Sequence, residues 1–210
     1  MKKLLFFLCL FFAISVSAQK LEHGALIGGS IGFPMQDKGE SVTPPSDNMS
    51  YNHDLKGGGL LGYRFRFLPV SKSFFDVDVT MGFQGMSTYK YSPYYENDGN
   101  GNFATGKDGK SFSEFIMPIS LSASWNYKFT DKFHAGVGVA PTLYVQPQAV
   151  FDLAVLAKIG YRVSKHCELG LTYQYGCLDV MKHFNEGPAL GRRGHFSDLM
   201  LSVYIPFVIK

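Results

Sequence analysis

Between Leu55 and Phe67 the odd-numbered residues are apolar or glycine: Leu55, Gly57, Gly59, Leu61, Tyr63, Phe65 and Phe67. The even-numbered set carries Lys56, Arg64 and Arg66 among glycines and one leucine. Successive side chains of a strand point to opposite faces, so this segment predicts a strand with one greasy and one charged face. The alternation recurs along the chain. It predicts eight strands, over His23–Phe33, Leu55–Leu68, Phe75–Tyr91, Ser113–Phe129, Phe133–Val145, Phe151–Val163, Glu168–Asp179 and His195–Phe207.

The connections alternate in length. Pro69–Ser73, Thr130–Lys132 and Ser164–Cys167 are short, whereas Pro34–Asp54, Ser92–Phe112 and Val180–Gly194 are long and rich in Gly, Pro, Asn and Asp. Gln146–Val150 is a short member of the long set. An even number of antiparallel strands with short periplasmic turns and long outer loops is how transmembrane barrels of the outer membrane are built. The predicted fold class is therefore all-β, an eight-stranded antiparallel up-and-down transmembrane β-barrel.

A soluble lipocalin-like barrel would use the same alternation with its apolar face inward. Side-chain size decides between them. The polar face is mostly glycine and serine, with Lys56, Arg64, Arg66, Asp76, Asp78, Lys90, Glu114, Asp152, Lys158, Arg162, Glu168 and Asp198 among them. The apolar face holds bulky Phe, Tyr, Leu and Trp125. Small residues suit the concave side of a narrow barrel and large ones the convex side, which puts charge inside and lipid outside. Hairpin register adds to this reading: tight turns would set Arg66 opposite Asp76, Arg64 opposite Asp78, and Arg162 opposite Glu168. Opposite charges across a ladder stabilise, and unpaired charges in a narrow lumen are costly. The prediction is a plugged, charge-balanced lumen rather than a pore.

Aromatic residues gather toward both strand ends, as interfacial girdles do. Phe65, Phe67, Phe75, Trp125, Tyr127, Phe129, Phe133 and Tyr161 lie beside the short turns, and Tyr89, Tyr91, Phe115, Phe151, Tyr173 and Tyr175 toward the long connections.

Residues 1–18 read as a cleaved export signal: Lys2 and Lys3, an apolar run from Leu4 to Ile14, then Val16, Ser17 and Ala18 at the cleavage site. Residues 19–210 would form the barrel domain. Without residues 1–18 the net charge falls from +3 to +1, which gives no electrostatic reason to expect nucleic acid. Cys167 and Cys177 are the only cysteines after the signal and are expected as free thiols, since ten residues of one strand hold them too far apart to bridge.

With signal, strands and girdles together, the chain resembles the small outer-membrane β-barrel family called PorT-like or OmpA/OmpX-like. Such proteins end in a strand of alternating apolar residues with a terminal aromatic, which the barrel-insertion machinery reads. Leu199, Leu201, Val203, Ile205 and Phe207 match, and Val208, Ile209 and Lys210 run past the usual end. The resemblance implies a place in the bacterial outer membrane, with its lipids and lipopolysaccharide and the insertion machinery as partners. The family serves attachment, envelope integrity and secretion, so it leaves the task open. The expected role is non-enzymatic, a scaffold presenting surface loops to an extracellular ligand or envelope protein; a narrow solute channel or a secretion-accessory barrel is an alternative.

Chemistry-bearing motifs are few, and no cofactor is expected. Asp98, Asn100 and Asn102 space like the start of a calcium loop, yet Phe103 replaces the required Gly and Gly109 stands where Glu belongs, leaving a polar loop as the reading. The six histidines show no metal-ligand spacing. His195 and Ser197, with Asp179 ending the preceding strand, define an enzymatic alternative. If Asp179 lay opposite His195, an acid–His–Ser set would face lipid near the outer rim, and His-x-Ser is similar to the motif of outer-membrane lipid A deacylases.

Overall fold

The computed structural model describes residues 21–36, 50–53, 56–97, 103–183 and 194–209, with side chains over 21–35, 56–87, 113–181, 183 and 194–207. The expected export signal, residues 1–18, and the Asp98–Asn102 stretch lie outside the described residues. The strands are β1 (Leu21–Gln36), β2 (Ser50–His53), β3 (Lys56–Phe67), β4 (Ser73–Asn97), β5 (Phe103–Lys128), β6 (Phe133–Gln146), β7 (Val150–Ser164), β8 (Cys167–Gly176) and β9 (Gly194–Ile209).

All pairings are antiparallel, each strand with the next along the chain except that β1 pairs with β3 and β2 with β4, and β1 closes on β9, from Glu22 against Ile209 to Gln36 against Gly194. Short β2 continues β3 along the same edge of β4, so the nine segments form eight staves of one closed barrel. No helix among the described residues is long and apolar enough to cross a membrane, which leaves strands to do so. The alternation sorts as anticipated. Odd-numbered Leu61, Phe75, Leu121, Trp125, Val137, Val155 and Leu201 are exposed on the outer surface, while Arg64, Arg66, Asp76, Glu168 and Ser202 are buried in the lumen. A soluble protein rarely exposes so continuous an apolar belt; here lipid chains would cover it.

Three boundaries differ from the sequence reading. Ser92–Phe112 is a continuous hairpin rather than a loop for most of its length, with pairing that runs to Asn97 opposite Phe103. Part of the predicted Pro34–Asp54 connection is strand β2. Strand β8 stops at Gly176, three residues before the predicted end at Asp179, and a 3-10 turn at Met181–His183 follows. The first two share one cause: strand pairing continues past the bilayer because the backbone groups find partners in the neighbouring strand, whether or not the side chains alternate in polarity.

Candidate functional site: a locked lumen

The lumen is filled in layers. The half beside the short turns is an ionic network centred on Arg66, only 2% exposed. Arg66 donates from Nε and Nη2 to Asp76 at 2.8 and 3.1 Å, and from Nη1 and Nη2 to Glu168 at 2.7 and 2.8 Å. Arg64 grips Asp78 through Nε and Nη2 at 2.7 and 2.9 Å. Lys158 reaches Asp76 at 2.6 Å from the opposite wall. Arg162 bridges Glu22, at 2.5 and 2.8 Å, and Glu168, at 3.1 Å. Forked guanidinium–carboxylate pairs fix direction as well as distance, so the network ties β1, β3, β4, β7 and β8 together across the bore. The aromatic rings of Phe74 and Tyr204 lie against Arg66, at 4.4 and 5.4 Å from its guanidinium carbon.

Above this layer, Leu26, Leu60 and Leu156 project inward, all nearly buried. Next comes Lys56, fully buried, donating to Asp198 at 2.9 Å and to Gln84 at 3.0 Å; Gln84 donates on to Ser30 at 2.7 Å. The end beside the long connections holds an apolar cluster of Met86, Ile116, Tyr144, Val150, Val180, Met181 and Phe196. Val180 and Met181 come from the start of the β8–β9 connection and pack into this cluster. The Lys56 ammonium sits 4.6 Å from the centre of the Phe196 ring, joining the ionic and apolar layers. Interior glycines allow this density: a Cβ at Gly32 would strike Lys56 and Asp198, and one at Gly160 would strike the His134 ring.

The expected hairpin pairs are present, with Arg66 opposite Asp76, Arg64 opposite Asp78 and Arg162 opposite Glu168. Of the twelve anticipated lumen charges, Arg162 and Glu114 are half-buried, and the Lys90 side chain lies outside the described residues. The sequence reading missed Glu22, because its first strand begins at His23, two residues after the start of β1 at Leu21; carrying the even-numbered face back from Gly24 finds it. Asp152, anticipated as part of the ionic plug, is buried but accepts from the backbone amides of Leu153 and Leu178, at 2.8 and 3.1 Å.

The Asp179, His195 and Ser197 set does not assemble as the sequence suggested. The β8–β9 ladder puts Tyr175 opposite Ser197, a register two residues away from the one that would set Asp179 against His195. Asp179 lies beyond the end of β8 and accepts from the Gly194 amide at 2.9 Å. Ser197 is fully buried rather than lipid-facing, and its hydroxyl donates to the Met35 sulfur at 3.6 Å. His195 lies against Tyr175 with its ring tilted, ring centres 4.5 Å apart, and its Nε2 has no hydrogen-bond partner among the described residues. A nucleophile needs its hydroxyl proton aimed at the base, and here that proton points to sulfur. Cys167 and Cys177 are free thiols. No group of three His, Cys, Asp or Glu side chains among the described residues is placed to hold a metal ion.

A closed ring of eight antiparallel staves, apolar without and ionic within, inverts the arrangement of a soluble barrel. The fold is that of a transmembrane β-barrel. No protein-family model matches the chain, and no curated protein matches it. Among solved structures it is similar to Ail, the attachment invasion locus protein of Yersinia pestis, in complex with the heparin analogue sucrose octasulfate, at 15% identity over 90% of this chain and 99% of that one, TM-score 0.42. It is similar to the outer membrane protein OprG from Pseudomonas aeruginosa, at 14% identity over 89% and 94% of the two chains, TM-score 0.41. It is also similar to the outer membrane protease OmpT from Escherichia coli, at 8% identity over 90% and 95%, TM-score 0.42.

Proposed function

We propose that the protein is a non-enzymatic barrel of the bacterial outer membrane, exported by residues 1–18, with a plugged lumen and a rigid wall that carries surface-exposed connections. The observation that carries this reading is the Arg66 network, which crosses the bore and fills it with paired side chains. A narrow eight-stranded barrel has an interior just wide enough for its own side chains, and this one is filled by paired charges and then by an apolar cap. A plugged lumen moves function to what the wall displays. The β4–β5 hairpin is the most extended element, and binding residues commonly sit on segments held out from a rigid frame. Its occupant would be an extracellular ligand or an envelope protein, while outer-membrane lipid and lipopolysaccharide would surround the apolar belt.

The reading is tested on whole cells. An epitope inserted at Asn100, between β4 and β5, should be reached by antibody on intact cells. Labelling only after permeabilisation would reverse the topology and remove the basis for a display role.

A further inference from the structure

Strands β5 to β9 frame a trough of about 600 Å³ on the outer wall of the barrel. Two rows of outward residues shape it. In one, Trp125 stands opposite Val137, Val137 opposite Ala157, and Ala157 opposite Tyr173. In the next row toward the short turns, Tyr127 stands opposite Ala135, Ala135 opposite Ile159, and Ile159 opposite Leu171. The small side chains fall on the two middle strands and the bulky ones at the edges. Ala135 and Ala157 therefore make the floor, Trp125 and Tyr127 one bank, and Leu171 and Tyr173 the other. Lys158, on the same floor, turns its ammonium inward to Asp76, and no carboxylate is among the described residues that line the trough.

We propose that this trough seats the acyl chains of one glycerophospholipid, drawn from the leaflet beside the short turns. The trough is continuous with the exposed belt of Leu121, Val155 and Leu201, the surface a barrel of the outer membrane turns to lipid. Its length suits a single leaflet. From Trp125 to Phe129 it runs four residue steps, about 13 Å, against about 15 Å for half of the hydrocarbon core. Phe129 also belongs to the aromatic band beside the short turns, and such bands mark the level where headgroups meet hydrocarbon. In a membrane the chains gain no hydrophobic free energy by docking, so close packing must hold them. A concave, uncharged floor between two raised banks supplies that packing. A second copy of this chain does not fit the same space, because a two-fold contact sets one patch against itself, and trough against trough leaves a void. That this leaflet is the phospholipid one rests on the orientation proposed above; the seat itself does not.

Trp125 is the only tryptophan of the chain, so its emission reports on one bank of the trough. The experiment titrates the refolded mature chain, in a non-ionic detergent, with phosphatidylethanolamine carrying brominated chains, which quench indole on contact. Quenching that saturates near one lipid per barrel, and that unbrominated phosphatidylethanolamine reverses, is expected. Filling the floor with Ala135→Leu and Ala157→Leu together should weaken the lipid by about threefold or more, the worth of a few lost atom contacts. Ala25→Leu, on β1 outside the trough, should leave the affinity unchanged. Heat-modifiability on gels identifies the variants that have folded. Quenching that rises without saturation, unchanged affinity in a folded barrel with the floor filled, stronger displacement by lipid A than by phosphatidylethanolamine, or a sedimenting dimer that the filling abolishes would each overturn the proposal. Failure of the epitope experiment with saturable quenching intact would strike the display reading and the assignment of the leaflet, and would leave the seat standing.

Discussion

At the short-turn end of the bore, strands are tied by Arg66 and Arg162 reaching to Asp76, Glu22 and Glu168; at the other end, Phe196, Ile116 and Met86 cluster with Val180 and Met181. The two plugs differ in how they hold. The ionic one depends on every partner being present, because each carboxylate has left water for a guanidinium or an ammonium. The apolar one depends on filled volume and tolerates any neighbour of suitable size. The lesson is about failure. Loss of one arginine should leave buried charge behind, whereas loss of one phenylalanine leaves a hole.

The comparison breaks first at the arginines. Replacing Arg64 and Arg66 together by Met keeps much of the volume but leaves Asp76, Asp78 and Glu168 with only Lys158 and Arg162 as cationic partners, two fewer than in the wild type, and should destabilise the barrel by about 3–5 kcal/mol. Urea unfolding in micelles reads this, and a loss under about 1 kcal/mol would show that water already reaches those carboxylates. Phe196→Ala at the other end should cost about 3 kcal/mol through its cavity and leave the ionic half closed. If instead it proved the more destabilising of the two, the apolar cap and not the ion network would be the principal fastening.

The smallest effect belongs to Ser197. With its hydroxyl donating to Met35 and the acid–His–Ser set unassembled, Ser197→Ala should shift stability by no more than about 1 kcal/mol and leave the lipid A of expressing cells unaltered by mass spectrometry. An acyl chain missing from lipid A only when Ser197 is intact would restore the deacylase alternative and end the non-enzymatic reading.

The ionic half was largely legible in the sequence. Tight turns fix hairpin register, so Arg64, Arg66 and Arg162 could be set opposite Asp78, Asp76 and Glu168 from residue numbers alone. What lies across the bore was not legible. Nothing local tells that Arg66 meets Glu168 of β8 or that Lys158 meets Asp76, since those contacts depend on barrel radius and strand stagger. The apolar cap left only a faint trace, as apolar residues such as Met86, Ile116, Tyr144 and Phe196 on the otherwise polar even-numbered face near the strand ends. The Asp179 register failed for a related reason: the connection joining β8 to β9 is long, and a long connection does not dictate pairing as a tight turn does.

Planar-bilayer recording of the purified wild-type barrel tests the closed lumen most directly. Paired charges below and an apolar cap above predict no stable channel on the order of a nanosiemens, the scale of wide water-filled porins, and the same silence should hold at high salt. Reproducible, stepwise conductance of that size from the pure protein would contradict the account.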